Sequence, residues 1–146
     1  MDTRIMGLET EYGVHTVHPT KRPLAPDEVA RYMFKPVVDW GNSSNVFISN
    51  GSRLYLDVGS HPEYATAETT RLDELIASDA AGDAIMHRLV TQAQQVMAND
   101  GFDGQVFLYR NNADSLGNSY GSHENYMIER TTQYRRLAEA LLPLDR

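Results

Sequence analysis

Two glutamates one residue apart, Glu9-Thr10-Glu11, follow the apolar stretch Ile5-Met6-Gly7-Leu8. Side chains in a strand alternate between faces, so both carboxylates project to one side, roughly 7 Å apart. Carboxylates that close disfavour joint ionisation unless a cation neutralises them, and hard oxygen ligands of this kind suit Mg²⁺ or Mn²⁺. A second set is Arg53-Leu54-Tyr55-Leu56-Asp57, followed by Gly59-Ser60-His61-Pro62-Glu63-Tyr64-Ala65-Thr66. One strand face would there carry a guanidinium for phosphate, a phenol and a carboxylate able to act as a general base. A third set runs from Asn111 to Tyr126. Its Gly and Asn residues permit tight turns, while His123 and Glu124 add two possible ligands. Each set taken alone also has an ordinary structural reading. These are a solvated acidic edge strand, the polar outer face of a half-buried sheet, and an Asn/Gly-rich hairpin. His15, His18 and His87 read as surface or packing histidines.

The surrounding pattern indicates which elements would hold these residues. Residues 4–17 read as a β-hairpin or a bent strand, with Gly13 permitting the bend. Pro26 suits the first turn of a helix, and Asp27 and Glu28 complement its dipole. Val29, Met33 and Val37 recur every four residues as one buried stripe, and Pro36 is expected to kink or end the helix near Lys35. A short strand Val46-Phe47-Ile48 follows. From Arg53 to Val58, Leu54, Leu56 and Val58 point one way and Arg53, Tyr55 and Asp57 the other. Residues 63–69 form a further strand. Thr70 or Ser78 is expected to cap the next helix, whose stripe is Ile85, Leu89, Ala93 and Met97, ending at Asn99-Asp100-Gly101. Strands over Val106–Arg110 and Tyr126–Ile128 and a helix over Tyr134–Leu142 complete the chain.

The class of protein is bounded by composition. The chain has 146 residues, the size of one domain, with 13 Lys and Arg against 20 Asp and Glu, a net charge of −7. That surplus of acid argues against a nucleic-acid binder. No apolar run is long enough to span a membrane, and Met1-Asp2-Thr3-Arg4-Ile5 lacks the apolar core of a signal peptide, so a cytoplasmic protein is expected. With no cysteine, the chain has no disulfide, thiolate zinc site or Cys nucleophile. Neither a Gly-x-x-x-x-Gly-Lys phosphate loop nor a Gly-x-Ser-x-Gly elbow is present.

In this order the three segments resemble the Pup ligase family, Pup being the prokaryotic ubiquitin-like protein. The matching stretches are Arg4-Ile5-Met6-Gly7-Leu8-Glu9-Thr10-Glu11-Tyr12-Gly13, then the long run from Asn50 to Glu68, then Asn118-Ser119-Tyr120-Gly121-Ser122-His123-Glu124-Asn125-Tyr126. The resemblance extends from Arg4 to about Pro143. The related Pup deamidase/depupylase typically carries an extra loop between the first two motifs. Only 38 residues separate Glu11 from Asn50 here, which favours the ligase. Family members usually have Cys where this chain has Ser122.

The resemblance implies an α+β fold: a glutamine-synthetase-like, curved, largely antiparallel sheet with helices packed on one face, present only in part. Residues 1–146 would be the N-terminal part of the catalytic domain, with its remainder and a small C-terminal domain outside the chain. It implies ATP-dependent ligation of the C-terminal glutamate side chain of Pup to lysines of target proteins, through a glutamyl phosphate, marking them for proteasomal degradation. Carried onto this sequence, Glu9, Tyr55 and Glu63 would coordinate Mg²⁺, Arg53 and Thr66 would contact ATP, and Asp57 would accept the lysine proton. Glu11 and His123 are further metal-site candidates. The alternatives are the depupylase activity and a catalytically inactive fragment that binds Pup or nucleotide. A pure binding module would have no need for a base beside a metal site.

Overall fold

The stripe Val29, Met33 and Val37 does lie buried on one helix, which begins at Pro26 as expected. A computed structural model describes residues 4–111, 113, 115–117, 119–128 and 134–141. The expectations that fell on Met1, Asp2, Thr3, Asn112, Asp114, Asn118, Leu142 and Pro143 lie outside the described residues. The elements are β1 (Met6–Glu11), β2 (Gly13–Val17), α1 (Pro26–Gly41), β3 (Asn45–Phe47), β4 (Arg53–Leu56), β5 (Pro62–Ala65), α2 (Leu72–Asn99), β6 (Gln105–Tyr109), β7 (Ser122–Tyr126) and α3 (Tyr134–Leu141). Among the described residues, five strands form an antiparallel sheet in the order β3-β4-β5-β1-β7, and β2 pairs antiparallel with β6. The α+β class, the antiparallel sheet and the helices on one of its faces are as expected. None of the described helices is long and apolar enough to cross a membrane.

Helix α1 starts at Pro26, and Glu28 reaches back so that its Oε2 accepts the Ala25 N–H at 2.7 Å. It buries Val29, Ala30, Met33, Phe34 and Val37. Contrary to expectation, Pro36 does not end it. The helix runs on to Gly41 and closes with Asn42 in the left-handed region at φ 54°. Pro36 sits on the exposed side of the helix, where water can serve the carbonyl that the proline leaves unpaired, while Val37 stays buried and keeps the stripe in register.

Helix α2 lies alongside α1 and buries Met86, Leu89, Val90, Ala93 and Met97 in the same core, against Val46, Leu54 and Tyr64 from the sheet. The expected caps are corrected. Its N-cap is Arg71, which makes no side-chain cap bond, and Thr69 braces the first turn by donating to Glu74 Oε2 at 2.5 Å. Ser78 lies mid-helix, its hydroxyl 3.2 Å from the Ser52 hydroxyl. The C-terminus is as expected: Gly101 has φ 88°, and the Phe102 N–H bonds back to the Met97 carbonyl at 2.8 Å. Gly82 faces the sheet where a Cβ would run into the Tyr64 ring, so glycine sets how closely the helix approaches.

Residues 4–17 form the bent strand rather than the hairpin. β1 and β2 join different sheets, and the pivot is Tyr12, whose N–H donates to the Pro62 carbonyl at 2.9 Å. Two strands shift by one residue, β3 to Asn45–Phe47 and β6 to Gln105–Tyr109, and three move further. β4 stops at Leu56, and Val58, expected to point inward, is 89% exposed. β5 covers Pro62–Ala65, after which Thr66 and Thr69 pair with Leu8 and Met6. β7 is Ser122–Tyr126, because its polar residues, not the apolar Met127 and Ile128, are the partners of Met6–Thr10.

Candidate active site

The period of two sorts the sheet residues onto two faces. Glu9 pairs with Ala65 and His123, and Glu11 with Glu63. Across the next ladder, Glu63 pairs with Tyr55 and Ala65 with Arg53. Residues directly opposite in a ladder share a face. The register therefore brings Glu9, Glu11, Arg53, Tyr55, Glu63 and His123 onto one face, while Leu54, Tyr64 and Thr10 turn toward the helices.

Hydrogen bonds hold most of these groups. The Tyr55 hydroxyl donates to Glu9 Oε1, and His123 Nδ1 lies 2.8 Å from Glu9 Oε2. Glu11 receives His61 Nδ1 on one oxygen and the Gly121 N–H on the other. The Arg53 guanidinium lies 4.3 Å from the centre of the Tyr55 ring, and its Nε donates to Asn45 Oδ1 at 2.7 Å. Thr66 is buried; its Oγ1 accepts the Leu8 N–H at 2.9 Å, leaving the hydroxyl proton available to a ligand. Glu9 and Thr66 line one cavity of about 350 Å³, with Gly7, Leu8 and Asn125. A larger cavity of about 410 Å³ between α2 and β6 is lined by Tyr12, Asp83, Gln94, Val106 and Arg110, and by none of the expected site residues.

Glu63 is the least satisfied member. It is only 4% exposed, and its carboxyl makes no hydrogen bond among the described residues. Burial, then the negative charges of Glu9, Asp57 and Glu11, push its carboxyl up from 4.5 to about 7, with His123 pulling the other way. His123 is itself raised, chiefly by its bond to Glu9.

Asp57 departs from the strand reading. It follows β4 as the first residue of an exposed turn, its N–H bonded to the His61 carbonyl at 3.0 Å and its carbonyl receiving the Ser60 N–H at 2.9 Å. Its charge still reaches the face, as the response of Glu63 records. The sequence reading gave no role to His61, although His61 and Glu63 are two apart, the spacing that puts side chains on one strand face.

The donor set fits a hard divalent cation. Glu9 and Glu63 supply carboxylate oxygens and Tyr55 a phenol oxygen on neighbouring strands, and a cation there would relieve the repulsion that raises Glu63. Among the described residues no three His, Asp or Glu side chains already form a closed ligand set. A bound Mg²⁺ would therefore complete its shell with waters or phosphate oxygens, as this ion ordinarily does.

The family profile described as Pup-ligase protein matches residues 4–144. A Pup–protein ligase of Micrococcus luteus is 69% identical over 140 residues, which is 96% of this chain and 30% of that protein. One from Arthrobacter sp. is 62% identical over 143 residues, 98% of this chain and 32% of that protein. The crystal structure of the complex between prokaryotic ubiquitin-like protein Pup and its ligase PafA superposes with a TM-score of 0.90 at 52% identity, covering 97% of this chain and 28% of that one. The structure of the Pup ligase PafA in complex with ADP gives a TM-score of 0.63 at 52% identity, over 87% of this chain and 27% of that one. The chain belongs to the Pup ligase family. It spans about a third of the length of the curated relatives it matches.

Proposed function

We propose that the chain is the N-terminal part of the catalytic domain of an ATP-dependent Pup–protein ligase, with residues 1–146 contributing the carboxylate face. The observation that carries this reading is the gathering of Glu9, Glu63, Tyr55 and Arg53 from three neighbouring strands onto one face, with Glu63 buried and its repulsion only partly relieved by His123. A surface needed only to bind protein would gain nothing from that tension. A phosphate-transfer site would, because it must hold a cation against nucleotide phosphates.

In this reading Glu9, Tyr55 and Glu63 hold Mg²⁺, which when bound neutralises phosphate charge. Arg53 and the Thr66 hydroxyl contact ATP as cation and hydrogen-bond donor. A γ-carboxylate oxygen of the C-terminal glutamate of Pup attacks the terminal phosphorus of ATP, and ADP leaves. The lysine amine of the target then attacks the acyl carbon, phosphate departs, and an isopeptide bond results. At neutral pH that amine is mostly protonated, with an ordinary pKa of about 10.4, and therefore not nucleophilic. Asp57, exposed at the rim, accepts its proton. The short spacing between Glu11 and Asn50 favours ligation over depupylation.

The test is an assay of the longer enzyme that carries this sequence, with ATP, Mg²⁺, Pup ending in glutamate and a lysine-bearing protein. Isopeptide formation with ADP release is expected. Cleavage of a preformed conjugate without ligation would assign the depupylase activity instead.

A further inference from the structure

The turn between β4 and β5 carries Asp57 beyond the end of the sheet. Its backbone closes on itself, Asp57 N–H to His61 carbonyl and Ser60 N–H to Asp57 carbonyl, with Gly59 and Ser60 in the left-handed region at φ 89° and 62°. Asp57, Val58 and Gly59 are exposed. Among the described residues, no side chain of residues 57–60 makes a hydrogen bond or ion pair. Such a turn would move freely about its two feet unless one of them were tied down.

His61 is that foot. Its side chain is largely buried, its Nδ1 bonds Glu11 on β1, and its ring packs against Tyr120 with centroids 5.3 Å apart. Glu11 is in turn fixed twice to the segment before β7: its N–H donates to the Gly121 carbonyl at 2.9 Å, and its second oxygen accepts the Gly121 N–H. Three separate pieces of chain thus meet at one imidazole. One Glu11 oxygen is taken by His61 and the other by the Gly121 N–H, so this carboxylate ties the foot of the turn to the segment before β7.

We propose that His61 is a positioning residue, with Glu11 as its strut: the pair fixes the turn so that Asp57 stands at the rim of the carboxylate face where the lysine amine must lose its proton. The inference rests on the reading of Asp57 as the base, and the experiment separates the two. His61→Phe keeps a ring against Tyr120 and removes the donor. His61→Asn keeps a donor close to the position of Nδ1.

The first measurement needs no activity. In the longer enzyme that carries this sequence, amide hydrogen exchange at Asp57 and Ser60 is expected to rise about tenfold or more in His61→Phe and to stay near the unsubstituted rate in His61→Asn, as local opening becomes easier. The second uses the same enzyme. His61→Phe is expected to lower kcat for isopeptide formation roughly 100-fold, the size of an ångström-scale misplacement of a catalytic group. ADP release without lysine should change little, and His61→Asn should recover most of the loss. Should His61→Phe fail to fold, Glu11→Gln, which can satisfy only one of the two donors through its carbonyl, gives the exchange comparison from the other partner. Unchanged exchange, equal loss of both half-reactions, or no rescue by His61→Asn would overturn the proposal. An unsubstituted enzyme that forms no isopeptide would overturn the functional reading while leaving the exchange result intact.

Discussion

The two faces of the five-stranded sheet are built from the same strands and differ in how they are satisfied. On the helix side, Leu54, Tyr64 and Val46 meet Met33, Phe34 and Met86, where burial of apolar surface stabilises and the buried Tyr64 hydroxyl is satisfied by Ser52 at 2.7 Å. On the other side, Glu9, Glu11 and Glu63 crowd together, and their partners relieve only part of the repulsion. The first face lowers the energy of the fold and asks for nothing further. The second raises it and would be relieved by a bound cation, which is how a binding site would differ from a core within one sheet.

Substitutions on each side sharpen that contrast. Asp57→Asn should lower isopeptide formation by about 10²- to 10⁴-fold, the range for a lost general base, in the longer enzyme. The Asp57 side chain is exposed and makes no hydrogen bond among the described residues, so the melting temperature should not fall. A parallel drop in stability, or an equal loss of ADP release without lysine, would remove Asp57 from that role. Met86→Ala, by contrast, truncates a side chain with no exposed surface. It should cost about 2–5 kcal/mol in urea unfolding, and a cost below that range would mean the core is looser than its packing implies.

The carboxylate face should also show in the pH dependence. A carboxyl whose pKa is higher in the folded chain favours folding fully below its unfolded value and loses that contribution as pH rises through the folded one. For Glu63 the window runs from 4.5 to about 7. Across it the chain should lose up to roughly 3 kcal/mol, and Glu63→Gln should flatten the curve. Urea midpoints at pH 5 and pH 8 decide this. A substituted chain as pH-sensitive as the original would place the repulsion elsewhere. Lys35→Ala belongs to neither face; it breaks an exposed pair with Asp39 at 2.9 Å and should change stability by less than about 0.5 kcal/mol.

Periodicity made the helical stripes and the shared face of Arg53 and Tyr55 legible, since both follow from local geometry. What it missed came from longer range. Pro36 reads as a helix end, yet burial of Val37 one residue later outweighs the missing bond. Asp57 reads as strand because it continues the alternation, but the left-handed pair Gly59 and Ser60 turns the chain first. Strand β7 was read too far along because apolar residues mark strands, whereas here pairing with Glu9 and Thr10 selects polar ones. The cluster around Glu63 was recognisable as carboxylates on strands. Which strands are neighbours is decided by tertiary pairing, and no local pattern carries it.

The close seating of Gly82 over Tyr64 bears on the order in which this sequence could have changed. A side chain gained at 82 while the ring remains at 64 meets that ring directly, so a smaller residue at 64 has to come first. Position 64 is flanked by Glu63 and Ala65 and lies two residues before Thr66. A step that loosens the ring therefore disturbs the strand that carries those groups. The two positions form a ratchet: drift at a glycine in the middle of a helix, far along the chain from any chemistry, has to pass through the strand that bears it.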